Sequence, residues 1–317
     1  MSDSAPTPQI LPYSAIVGQS QAKLALELTY IAPRIGGVLL SGDRGTGKST
    51  IVRAFSQMVY DRLPITLPIN ATEDRVVGGW NIDQLMLGKT EFQEGLLKEA
   101  DGTLIYVDEV NLLDDHIVNI ILDVASTGVL VVQRDGIRRE EPVSFTLIGT
   151  MNPEEGGLRP QLLDRFGLMV NVKAETDAVA RREILDTVLK FDEALFQREQ
   201  GQSSKWLSQM RDKDGTRKEE LIAAQERFPA VEIPEVIANY CVTLATALNT
   251  EGHRADFVLA LGAKACAALE GDSVATTEHL RQVAPLALQH RRHGMADSDK
   301  SWWEAQALSA IDEILSQ

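Results

Sequence analysis

The chain has 317 residues, 44% hydrophobic and 24% charged, with a formal net charge of −15. That length fits a larger domain plus a smaller one, and the composition excludes disorder as the main state. The acidic balance argues against nucleic acid and anionic lipid as partners, and no apolar run reaches the length of a membrane span.

Residues 1–8 read as a flexible tail within a leading segment over 1–10. The start, MSDSAPTPQI, lacks the basic residues and apolar run of a secretory leader, so a cytoplasmic location is expected. From 11 to 175 short apolar strands alternate with helical stretches, the pattern of a three-layer α/β domain with a mostly parallel sheet. The expected strands cover 37–41, 65–69, 103–107, 145–150 and 168–172, with helices over 49–60 and 114–127. Between 128 and 145, two β-prone runs flank Asp135-Gly136, which predicts a projecting hairpin. From 176 to 233 the chain reads as a helical connection, with helices over 177–198 and 219–227 and a loose polar stretch over 202–215. From 234 to 317 it reads as an all-helical domain, with helices over 234–250, 255–269 and 277–290. Gly271 marks a helix stop, and Thr276-Thr277-Glu278 a helix start. Cys241 and Cys266 fall in apolar helical patterns and read as buried core residues in a reducing compartment. Trp302-Trp303 is expected to dock on the helical bundle.

The strongest chemical signal is GDRGTGKST at 42–50, which fits the phosphate-loop pattern G-x-x-x-x-G-K-[ST] between a strand and a helix. Gly42, Gly45 and Gly47 free the backbone, and the N–H groups of Asp43, Arg44, Thr46 and Thr50 and the helix N-terminus can face phosphates. Lys48 supplies a positive charge there, and the Ser49 hydroxyl is placed to ligate Mg²⁺. In LIYVDEVNLL, a buried strand delivers Asp108 and Glu109 at its C-terminal end, where ligands bind in parallel sheets. Asp108 can hold Mg²⁺ through water, and Glu109 can polarise an attacking water. Asn152 ends the next strand, where it either meets the γ-phosphate or shapes the turn before Pro153. In LRPQLLDRF, Arg159 and Arg165 either form surface ion pairs, such as Arg165 with Asp164, or supply an arginine finger to a neighbouring subunit. Arg254, in EGHRADF, is a catalytic candidate or a solvated side chain. The histidines 116, 253, 279, 290 and 293 are dispersed, and no metal role is expected for them.

IVGQ (16–19), GDRGTGKST, ATEDRVVG (71–78), YVDEVNLLDDH and NPEEGGLRPQLLDRFG together resemble the AAA+ ATPase subunit of magnesium chelatase. The likeness runs from 11 to 172 and continues more weakly through EGHRADFVLALGAKACAALEGD. It implies an AAA+ three-layer αβα P-loop domain with a helical lid, working on ATP and Mg²⁺. It also implies a Walker A pair in Lys48 and Ser49 and a Walker B pair in Asp108 and Glu109. Asn152 would be the sensor-1 residue, Arg165 the finger, Arg254 the sensor-2 arginine, and Val17 and Gly18 neighbours of the adenine. The hairpin over 128–145 would be the insertion preceding sensor 1, and 78–94 a second insertion, helical and near the ring's centre.

The resemblance implies a ring of copies, expected to be hexameric, with an integrin-type I-domain (VWA) subunit and a large porphyrin-binding chelatase subunit as partners. One departure bears on this. Chelatase subunits usually carry a long extra segment before ATEDR, whereas here residues 57–71 make the connection directly. The alternative is a chelatase-like remodelling ATPase that serves an I-domain partner without chelation. A nucleic-acid motor is disfavoured by the charge, although the hairpin holds Arg134, Arg138 and Arg139.

Overall fold

The structure, a computed structural model, describes residues 9–80, 86, 92–134, 137–250, 252–291 and 300–316, without the side chains of 133–138 and 300–307. The leading residues 1–8, the hairpin tip at Asp135-Gly136, the centre of the 78–94 insertion, His293 and the side chains of Trp302 and Trp303 therefore lie outside the described residues.

Five strands form one all-parallel sheet in the order β2-β5-β8-β1-β9. These are β1 (Val38–Ser41), β2 (Ile65–Leu67), β5 (Leu104–Val107), β8 (Thr146–Met151) and β9 (Leu168–Asn171). The expected strands all appear, each within two residues of its anticipated ends. Alternation builds the layers. Val38 and Leu40 face one core while Leu39 faces the other, and Tyr106 and Ile105 divide in the same way. The first core contains α1 (Ser20–Ile31), α2 (Lys48–Tyr60) and the C-terminal helices; the second contains α5 (Asp115–Thr127). Short helices α3 (Glu73–Val77), α4 (Leu96–Glu99) and α6 (Pro160–Leu163) fill the connections.

Two antiparallel ribbons flank the sheet, and the first does not simply project as expected, since Leu130 and Val132 are buried in the second core. The expected hairpin is present as β6 (Val129–Arg134) paired antiparallel with β7 (Ile137–Pro142). The ends of the 78–94 insertion form a second ribbon, β3 (Gly78–Trp80) on β4 (Phe92–Glu94). Sequence reading did not assign α1. Eight of its twelve residues are buried, so its apolar positions do not collect on one face and the helical period is blurred.

The C-terminal half contains α7 (Ala178–Glu199), α8 (Lys205–Arg227), α9 (Glu235–Ala247), α10 (Arg254–Glu270), α11 (Thr277–Leu288) and α12 (Lys300–Leu315). One expectation fails here. Residues 202–215 are not a loose connection: from Lys205 they belong to the 23-residue helix α8. Ser204 caps it, accepting the Leu207 N–H. Polar side chains in and just after that stretch are tertiary anchors. The Asp214 carboxylate accepts the N–H groups of Tyr13 at 3.0 Å and Ser14 at 2.7 Å. Arg217 donates to both oxygens of Glu27 at 3.1 and 2.6 Å, and Tyr13 Oη donates to the same carboxylate. Glu27 is buried at 3% exposure, so removing Arg217 would strand a buried charge. Long-range contacts of this kind override weak local propensity.

Cys241 and Cys266 are buried and free, and burial pushes both thiols up to about 12. Gly271 ends α10 in the left-handed region, and Thr276 caps α11 in a box with His279, both as expected. His279 Nδ1 accepts the Thr276 N–H, so the ring proton sits on Nε2, 3.3 Å from both Glu270 and Asp272. A protonated Nε2 faces these carboxylates as a donor, not as a metal ligand.

Candidate active site

Residues 42–50 run from the end of β1 into α2, and Gly45 and Gly47 both adopt positive φ. A Cβ on either would project into open space, so the loop is a backbone-lined cradle. Gly42 has a different reason: a Cβ there would overlap the Val172 carbonyl oxygen at the exit of β9. Lys48 starts α2, and its Nζ donates to the carbonyls of Gly42 at 2.5 Å and Asp43 at 2.7 Å. Burial lowers the Lys48 pKa, while Asp43, Asp108 and Glu109 pull it back up.

The loop is one wall of a cleft of about 290 Å³ whose lining runs from Arg44 to Thr50 and includes Asp108, Glu109, Thr150, Met151 and Asn152. Parallel pairing of β5 and β8 puts their C-terminal ends at this edge. Sequence reading missed the residue that ties the metal candidates together. Tyr106 Oη donates to Asp108 Oδ1 at 2.7 Å and lies 2.9 Å from Ser49 Oγ. Burial raises its phenol to about 12, so it stays a neutral donor. Thr150 Oγ1 adds a bond to Asp108 Oδ1 at 2.8 Å and accepts the Glu109 N–H at 3.2 Å. Tyr106 is the third apolar-run position of LIYV, and only strand alternation hinted that it faced the Ser49 side. Glu109 itself has φ +54°, an uncommon backbone state for a glutamate, which turns its side chain out of the strand direction.

The turn-shaping reading of Asn152 shows in its hydrogen bonds, and the residue also lines the cleft. Its Oδ1 accepts the Glu154 N–H and shapes the turn, while its Nδ2 donates to Glu155 Oε1 at 3.1 Å on the cleft wall. Glu155 is a second unforeseen residue. It pairs with Arg44 of the phosphate loop, Nε to Oε1 at 2.7 Å. Asn152 first, then Arg44, hold its carboxyl below the usual carboxylate range.

The remaining candidates lie elsewhere. Arg165 and Arg254 do not line the cleft. Arg165 Nη1 contacts Asp123 Oδ1 of α5 at 2.5 Å, and Arg159 pairs with Asp115. The Arg165–Asp164 pair, one form the surface-pair alternative could take, is absent among the described contacts, and Asp164 is turned to Arg291 at 3.2 Å. Arg254, the first residue of α10, donates to the Arg165 carbonyl at 2.9 Å, so the two arginines form one cluster. Val17 and Gly18 do not line the cleft either; Gly18 approaches Glu175, and Gln19 reaches the Lys173 carbonyl at 3.4 Å, beyond β9.

His290 closes this cluster. It contacts Phe166 O at 2.9 Å, and burial drives its imidazole well below the usual histidine range, with the Arg291 charge adding to the effect. A neutral ring then donates Nε2–H to that carbonyl. An unfolded histidine takes up a proton near pH 6.5 whereas this one stays neutral, so the unfolded chain binds the extra proton. Stability falls as pH drops below about 6.5, by up to about 1.4 kcal/mol per unit. Chemical unfolding of the wild type and His290→Gln between about pH 7.5 and 5.5 checks this; equal slopes would mean that His290 takes up its proton alike in the folded and unfolded chain.

The fold and cleft together define a P-loop ATPase of the AAA+ class. The AAA domain model of the dynein-related subfamily matches residues 37–166, and an AAA lid domain model matches 238–311. The chain is 41% identical to the magnesium-chelatase 38 kDa subunit of Rhodobacter capsulatus, over 90% of this chain and 89% of that one. It is 36% identical to a magnesium-chelatase subunit ChlI homolog of Methanocaldococcus jannaschii, over 89% and 85% of the two chains. Among solved structures it matches a chain from a cryo-EM reconstruction of the BchI–BchD complex of magnesium chelatase, with 37% identity and a TM-score of 0.51, covering 97% of this chain and 100% of that one. The chain belongs to the AAA+ ATPase subunit family of magnesium chelatase, and its enzymatic activity is ATP hydrolysis. Members of this class use a nucleotide and Mg²⁺. No helix among the described residues is long and apolar enough to cross a membrane.

Proposed function

We propose that this chain is the ring-forming motor of a magnesium-chelatase-type complex, and that ATP is hydrolysed between neighbouring copies. The observation that carries this reading is the separation of the site into two parts. Lys48, Ser49, Asp108, Glu109 and Asn152 gather at one cleft, while Arg165 and Arg254 gather away from it. Each half lacks what the other holds, so a second copy of the chain completes the site. An exposed apolar stripe on α7, formed by Leu185, Val188, Leu189 and Phe196, also supports assembly.

In this reading the loop N–H groups of residues 42–50 and Lys48 hold the phosphates. The adenine lies toward Val17 and Gly18. Ser49 and Asp108, already linked through the Tyr106 phenol, would hold Mg²⁺, which neutralises charge on the β- and γ-phosphates when bound. Glu109 orients the attacking water and accepts its proton. Asn152 turns its amide from Glu155 to the γ-phosphate or the water. Arg165, with Arg254 beside it, stabilises transition-state charge on the neighbour's nucleotide. Arg254 is thereby grouped with the finger rather than with its own phosphate loop.

The proposed partners are an I-domain subunit and a porphyrin-binding subunit; the similarity to a chain of the BchI–BchD complex supports a chelatase partner subunit. The ring is expected to hold six copies, and a cytoplasmic location fits the two free, buried cysteines. The deciding experiment is ATP hydrolysis and magnesium insertion with purified partners. Turnover coupled to porphyrin metallation is expected. Turnover stimulated by the I-domain partner alone, with no metallation, would instead assign the chain to protein remodelling.

A further inference from the structure

The four consecutive carbonyls of the Arg165 loop are all taken by side chains of the helical domain. Arg291 donates to the carbonyls of Asp164 at 3.0 Å, Phe166 at 2.5 Å and Gly167 at 2.8 Å. Arg254 takes the Arg165 carbonyl, and His290 shares that of Phe166. Just beyond, Gln289 donates to the Met169 carbonyl and accepts from Asn171 Nδ2 at 2.9 Å. On another side Gly167 lies against the carbonyl of Ile35, the end of the Pro33–Ile35 turn, too closely to admit a Cβ.

Arg291 dominates this grip. Its side chain has no exposure, and it also reaches the Asp164 carboxylate and the Ala287 carbonyl of its own helical segment. The arrangement is costly as a stabiliser. Burial lowers the Arg291 pKa to about 10, and the nearby Arg254 charge opposes it further. Well-packed apolar side chains would hold two elements together at least as well. A rigid planar fork differs from apolar packing in fixing the donor directions, and here it fixes the backbone segment that carries the partly exposed Arg165. Arg165 itself has little else to define its place: one partly exposed contact with Asp123.

We propose that Arg291 is a positioning residue for ATP hydrolysis, which pins the Asp164–Gly167 backbone to the helical domain so that Arg165 stands correctly for the next subunit's nucleotide. This rests on Arg165 acting across the interface. It adds that the end of α11 sets the finger, so a shift of the helical domain in one subunit is felt at its neighbour's site and not at its own.

Complementation between subunits tests it. Arg291→Ala is expected to lower steady-state turnover by about 10²-fold, the cost of a misplacement on the order of 1 Å, with ATP affinity and oligomeric state unchanged. Mixed with Glu109→Gln, it is expected to regain turnover well above that of either variant alone. The mixture contains interfaces that join an intact Glu109 to a correctly held Arg165. Arg291→Lys, which keeps the charge but lacks the fork, should behave likewise and serves if the alanine variant does not fold. Arg165→Ala mixed with Glu109→Gln is the reference. If that pair complements and the Arg291 pairs do not, Arg291 serves its own site or the fold alone, and the proposal is overturned. If the Arg165 pair itself fails to complement, the cross-interface reading of the finger falls first. Wild-type turnover in Arg291→Ala also overturns the proposal.

Discussion

Arg165→Ala is expected to reduce steady-state ATP hydrolysis by about 10³–10⁵-fold, roughly 4–7 kcal/mol of transition-state stabilisation. The fold should tolerate the change. The guanidinium is partly exposed, and its contact with Asp123 is a surface pair worth about 0–1 kcal/mol. The loop is held through its backbone carbonyls, which alanine retains. ATP affinity should also persist, because Arg165 does not line the cleft of its own subunit. The signature is therefore a lost rate with unchanged melting temperature and nucleotide binding. Hydrolysis at the wild-type rate would remove the finger from the mechanism.

Glu109→Gln should lower turnover by about 10²–10⁴-fold, the usual contribution of a positioned proton acceptor. The amide keeps the size of the carboxylate but cannot accept the water proton. The Glu109 N–H bond to Thr150 and the Tyr106–Asp108–Ser49 link do not involve its side chain, so the cleft should keep its shape. Nucleotide binding in the presence of Mg²⁺ is therefore expected to survive, giving a trapped ATP state that retains partner proteins. Loss of ATP binding in equilibrium titration would show that Glu109 shapes the pocket rather than serving the chemistry.

Much of the site could be read without coordinates because its parts are local. A phosphate loop needs glycines, a lysine and a hydroxyl in consecutive positions between a strand and a helix, and residues 42–50 supply them in order. Asp108, Glu109 and Asn152 were placed in the same way, by the rule that parallel strands present their C-terminal ends to ligands. Residues 202–215 show the opposite case. Polar composition suggested a loose connection, but Asp214 within it and Arg217 just beyond it spend their charge on Tyr13, Ser14 and Glu27, and the segment is helical from Lys205. Glu155 carried no role in the sequence, because its bond to Arg44 spans 111 positions.

The sequence alone determined the chemistry of the nucleotide cleft, since that chemistry is written in short runs whose backbone geometry is set by neighbouring residues. Only the tertiary structure decided which charges work together: Arg165 with Asp123, Arg254 with the Arg165 carbonyl, and Arg291 with Asp164 across 127 positions. Periodicity carries no signal for such pairs. They arise where elements distant in sequence pack together, α5 and α10 at the Arg165 loop and the end of α11 beside β9, and desolvation leaves the buried Arg291 charge few partners to choose from.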